Sequence, residues 1–140
     1  MSVGLLLVTH NAVGAELLAA ATAVLGRCPL QAEALGIGPD DERDRMTDLA
    51  AVMAARLDRG DGLLVLTDLY GSTPANIAGS LSQKHRTRIL TGVNLAMLVR
   101  VLNYARLGLD ELADKALSGG RDAVMLSPEP ETRDPARPRN

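Results

Sequence analysis

The chain has 140 residues, 46% hydrophobic and 23% charged, which suits one globular domain large enough to bury a core. With 15 basic against 17 acidic residues, a formal net charge of −2, no Phe or Trp and only Tyr70 and Tyr104, it lacks both the basic footprint and the stacking platforms of a nucleic-acid binder. The single cysteine, Cys28, excludes an internal disulfide and suits a reducing compartment.

The chain opens on an apolar run, Val3 to Val8, that stops at Thr9-His10-Asn11. It is too short for a core helix and predicts a strand buried on both faces. It has no basic n-region or cleavage site, and no run approaches the ~20 apolar residues of a membrane helix. A cytoplasmic protein without direct membrane insertion is therefore expected. Val13, Leu17, Ala21 and Val24 then recur at helical spacing up to Gly26. A second strand is expected between Leu30 and Ile37. Asp40 is placed as N-cap of a helix that turns Met46, Leu49, Ala50, Met53 and Leu57 to one face. Gly62 to Asp68 is the second strong strand, and Pro74 suits the first position of a helix reaching about Ser82. Thr87 to Thr91 reads as a fourth strand and Asn94 to about Arg106 as a helix. Asp110 to Leu117 reads as a short helix ended by Gly119-Gly120, and Ala123 to Leu126 as a last strand. The predicted fold is α/β: a doubly wound, four-stranded, mainly parallel sheet with helices on both faces. Residues 1–127 form the domain; 128–140, with four of the seven prolines, is expected to be a disordered tail.

Ligands of open parallel sheets bind beyond the carboxyl ends of the strands, where strand order reverses. Two segments bring polar residues to that edge: Thr9-His10-Asn11, and Thr67-Asp68 with Gly71-Ser72-Thr73. If their strands are neighbours, His10 meets Asp68 beside a helix N-terminus opening at Pro74. A neutral imidazole can attack through one ring nitrogen while a carboxylate fixes the tautomer on the other. Backbone N–H groups at the helix start, with the Ser72 hydroxyl and a glycine at 71 for close approach, suit a phosphoryl group. Other candidates have plainer readings. His85 and the arginines Arg43, Arg45, Arg56 and Arg59 read as solvated surface, and Cys28 as inert. No metal-ligand spacing, dinucleotide fingerprint, P-loop or nucleophile elbow is present, so no metal and no cofactor are expected.

Taken together, GLLLVTHNAVGAELL, DLYGSTPANIA and TGVNLAMLVRVL, in that order between residues 3 and about 102, resemble the IIA components of mannose-family sugar phosphotransferase systems. The resemblance implies a phosphotransferase component that is phosphorylated on His10 by the phosphocarrier HPr and passes the group to a IIB component. It assigns Asp68 to face the histidine, and places Gly71, Ser72 and Thr73 near the phosphoryl group. It also implies a homodimer that exchanges a fifth strand at about Asp122 to Leu126. The turn departs from the family, which more often has two glycines and a serine there, and Ala75 stands where an aromatic is usual. Read as a free-standing IIA, the chain can serve sugar uptake or regulation. Three alternatives stay open: the IIA-like phosphodonor subunit of a dihydroxyacetone kinase, a hydrolase using Ser72, His10 and Asp68, and a non-enzymatic regulatory binding domain.

Overall fold

A computed structural model describes residues 2–128. The Pro-rich tail, beyond its first residue, lies outside the described residues. Four strands, β1 (Gly4–His10), β2 (Ala32–Ile37), β3 (Leu63–Thr67) and β4 (Thr87–Leu90), alternate with helices α1 (Val13–Leu25), α2 (Arg43–Leu57) and α3 (Thr73–Ser80). Two further helices, α4 (Leu95–Asn103) and α5 (Leu109–Asp122), follow β4. The sheet is all parallel, in the order β2-β1-β3-β4. The chain steps from β1 outward to β2 and then back across to β3, so strand order reverses between β1 and β3. That is where a doubly wound sheet opens a crevice.

Alternation along the strands divides the core in two. Leu5 and Leu7 of β1 with Leu64 and Leu66 of β3 pack under α1, α4 and α5 through Ala21, Leu98, Val101 and Leu112. Leu6 and Val8 with Leu63 and Val65 pack under α2 and α3 through Met46, Ala50, Met53 and Ile77. Burial on both faces is why these strands read as unbroken apolar runs. By the same alternation His10, two residues beyond Val8, belongs to the α2–α3 face.

The structure corrects several sequence expectations. In α1 the buried residues are Gly14 and Ala21, while Val24 is 64% exposed and Val13 is exposed as well. A Cβ at Gly14 would stand 3.1 Å from that of Leu7. The helix lies this close because its smallest residue faces the strand, and that rotation turns Val13 and Val24 outward. Helix α2 begins at Arg43 with Glu42 as N-cap, not Asp40, and its buried face includes Ala54 while Leu49 is exposed. The Asp41 carboxylate instead accepts from the Gly38 N–H at 2.7 Å, holding the preceding turn.

Gly119-Gly120 does not end the last helix, which runs through both to Asp122. A Cβ at Gly119 would come within 2.6 Å of the Arg100 Cβ, and one at Gly120 within 2.7 Å of the Met97 methyl. The glycines are what lets α5 lie against α4. Since the helix takes up Asp122, Ala123–Leu126 forms no strand within one chain, and Val124, Met125 and Leu126 are exposed. His85 is also not a solvated residue. Its Nδ1 lies 2.7 Å from Asp58 Oδ2, and the two side chains are only 17% and 15% exposed.

Candidate functional site

Parallel β1 sends its alternate N–H groups to opposite neighbours. Gly4 N–H donates to Gly62 on the β3 side, and Asn11 N–H donates to Ile37 on the β2 side. His10, an even number of residues from Gly4, therefore directs its N–H toward β3. There the backbone ladder has ended, and the Asp68 carboxylate accepts that N–H at 2.9 Å. The same carboxylate meets the His10 ring, with Nδ1 3.1 Å from Oδ1 and 3.0 Å from Oδ2. One aspartate thus fixes both the backbone and the ring of the histidine. A carboxylate facing Nδ1 places the proton there, which leaves Nε2 with its lone pair free. The His10 side chain is 44% exposed and that of Asp68 17%, so the ring is accessible and its partner sheltered.

The turn after His10 is shaped by Asn11 and Gly36. Asn11 adopts φ +47°, a left-handed conformation that asparagine tolerates better than most side chains. Its carbonyl passes so close to Gly36 that a Cβ there would lie 2.1 Å from the oxygen. Any side chain at 36 would displace the segment that carries the histidine. On the other side, the Thr9 hydroxyl accepts from the Gly14 N–H at 2.7 Å and ties the start of α1 to the strand end.

A cavity of about 410 Å³ opens beside His10, walled by Ile37 to Pro39 and Asp41 after β2, by Arg43 at the start of α2, and by Thr73-Pro74 at the start of α3. Two helix N-termini thus border the imidazole. In α3, Pro74 has no N–H and Asn76 N–H is taken by the Ser72 carbonyl, which leaves Thr73 and Ala75 as unused first-turn donors. Thr73 lines this cavity; Gly71 and Ser72 do not. The Ser72 hydroxyl donates to the Leu69 carbonyl at 2.6 Å, closing the turn rather than the site. It therefore makes no bond to His10, and the Ser72–His10–Asp68 hydrolase arrangement is not formed. Gly71 stands at φ +78°, and a Cβ there would meet nothing within 4 Å, so the turn conformation is what calls for glycine.

Arg43 was read from the sequence as part of a solvated face, yet it borders the His10 cavity. One local signal marks it. An arginine in the first turn of a helix opposes the helix dipole, which favours acidic residues there. Below the site, the Thr67 hydroxyl is fully buried and, among the described residues, has no hydrogen-bond partner. No helix among the described residues is long and apolar enough to cross a membrane.

Known proteins resemble this chain in sequence and in fold. A family profile described as the PTS system fructose IIA component matches residues 4–117. The mannose-specific EIIAB component of the phosphotransferase system of Escherichia coli (strain K12) is 30% identical over 131 residues, which cover 89% of this chain and 39% of that protein. The chain thus spans about two-fifths of the length of the curated relatives it matches. Among solved structures, the mannose/sorbose-specific IIA subunit from Enterococcus faecalis superposes with a TM-score of 0.85 at 27% identity, over 95% of this chain and 100% of that one. The PTS IIA protein associated with the fucose utilization operon from Streptococcus pneumoniae shares the fold, with a TM-score of 0.75 at 22% identity over 90% and 96% of the two chains. With a profile match along most of its length, this chain belongs to the mannose-type IIA family of phosphotransferase-system components.

Proposed function

We propose that this protein carries a phosphoryl group on Nε2 of His10, accepted from phosphorylated HPr and delivered to a IIB component or read as a regulatory signal. The observation that carries this reading is the double engagement of His10 by Asp68, which occupies Nδ1 and leaves Nε2 unengaged on a residue that lines the cavity. In transfer, the Nε2 lone pair forms a bond to phosphorus as the bond from phosphorus to the donor breaks, its electron pair leaving with the donor. The Nδ1 proton stays on the ring, and the Asp68 carboxylate stabilises the positive charge that the imidazole acquires. Such a step needs positioning and electrostatic stabilisation more than covalent machinery.

Thr73 and the first-turn N–H groups of α3 are the donors for the phosphoryl oxygens, and Gly71 and Ser72 shape the turn that presents them. A second copy completes the assembly: the exposed Val124-Met125-Leu126 segment pairs with the outer edge of β4 in a homodimer. The test of the function is incubation with labelled phosphorylated HPr. Wild type takes up acid-labile, base-stable label, and His10→Ala takes up none. Label in His10→Ala, or label that resists acid as a serine ester does, would assign the wrong nucleophile.

A further inference from the structure

We infer that Arg43 anchors the phosphoryl group during its transfer to His10, a role that rests on the phosphoryl-carrier reading above. Of the charged side chains that wall the His10 cavity, Arg43 is the cation and Asp41 the anion. Asp68 adds a second carboxylate behind the ring. A dianionic group arriving at Nε2 therefore meets two negative charges, and the amide ends of α2 and α3 supply only partial positive charge against them. A full charge on the cavity wall is needed to favour the anion. Arg43 supplies it from the first residue of α2.

Arg43 stands on the cavity wall with its guanidinium uncommitted: among the described residues Arg56, Arg86 and Arg88 each reach a carboxylate, while Arg43, like the remaining arginines, pairs with none. Its place at a helix N-terminus is also electrostatically unfavourable until an anion arrives. The planar guanidinium can then donate two parallel N–H bonds to two phosphoryl oxygens, a geometry that a lysine ammonium cannot reproduce. Arg43 keeps its proton throughout. It forms no covalent bond, and the nitrogen–phosphorus bond still forms at Nε2 of His10.

The experiment compares wild type, Arg43→Gln and Arg43→Lys for the rate of label transfer from phosphorylated HPr, over a range of HPr concentrations, with thermal melts of each. Arg43 is exposed, so unchanged melting midpoints are expected. At saturating HPr, Arg43→Gln should be labelled on His10 about 10- to 100-fold more slowly, and Arg43→Lys should recover part of the loss. Equal saturating rates for wild type and Arg43→Gln would overturn the inference. So would a defect seen only as weaker half-saturation, since that describes a docking contact for HPr. Wild type that takes no label at all would overturn the carrier reading itself, a result distinct from the other two.

Discussion

At the scale of single residues, the site turns on how Asp68 divides its two oxygens. Oδ2 holds the His10 N–H at the end of the β1–β3 ladder, which fixes the carboxylate, and both oxygens face Nδ1, so the ring cannot rotate without losing its contact with that carboxylate. Asp68→Ala should leave the acceptor in place but slow transfer by roughly 10²- to 10⁴-fold, through loss of tautomer and orientation. Single-turnover labelling measures this, and a variant as fast as wild type would show that Asp68 is only a strand-end cap. His10 and Asp68 were legible in the sequence because each ends an apolar run, and a parallel sheet has one ligand edge. Arg43 was not legible there. Its alternation with Asp44 looks like a solvated surface, and only the fold brings the start of α2 to the carboxyl end of β1. That Thr73 lines the cavity while the Ser72 hydroxyl turns to the Leu69 carbonyl was likewise hidden, since adjacent hydroxyls in a turn are separated by backbone direction alone.

At the scale of elements, the glycines show how one residue type carries opposite signals. Gly26 ends α1 in the left-handed conformation a helix terminus favours, whereas Gly119 and Gly120 lie inside α5. In sequence the two uses look alike; the difference is α4, whose Arg100 and Met97 occupy the space that side chains at 119 and 120 would need. On an isolated helix Gly119→Ala would stabilise, by about 1 kcal/mol at most. Here the clash lies against the Arg100 Cβ, at the rigid base of the side chain, so we expect a net loss of about 1–3 kcal/mol in denaturant unfolding. A gain in stability would mean that α5 can move away from α4 without cost.

The loop between α2 and β3 is organised by Asp58, which accepts from Gly60 N–H at 2.9 Å and Gly62 N–H at 3.2 Å and meets His85 from the turn before β4. Burial alone would raise its carboxyl, but the hydrogen bonds from His85, Gly60 and Gly62, with the charge of His85, outweigh that and leave it below its ordinary value of 3.8. A carboxyl lowered on folding adds stability that is fully present above its unfolded value and is lost as pH falls through the folded one. Wild type should therefore lose stability on acidification below about pH 4, and Asp58→Asn should lose less across that window while being weaker at pH 7. Parallel pH profiles for the two proteins would contradict the assignment.

At the scale of the whole molecule, the sheet ends on two edge strands, β2 and β4. Edge strand β4 carries partly exposed residues and is held to α5 by Arg86 and Arg88, both on Asp110. These exposed ion pairs add little stability. Beyond α5 the apolar Val124-Met125-Leu126 segment lies open, with Leu126 96% exposed. The alternation of strand and helix was readable because each strand is buried on both faces. That Ala123–Leu126 pairs with no edge of its own chain was not, since a strand is defined by the edge it joins. Light scattering at micromolar concentration should give twice the chain mass, and truncation after Ala123 should give the monomer. A wild-type protein that stays monomeric would contradict the dimer.

With Asp68 on Nδ1, transfer to His10 is expected at Nε2. Phosphorus and ring-nitrogen NMR of the protein after transfer from phosphorylated HPr tests it most directly, since the two phosphohistidine isomers give separate signals. One phosphohistidine is expected, substituted at Nε2 of His10, with Nδ1 still protonated. A phosphoryl group on Nδ1, or on any residue other than His10, would contradict it.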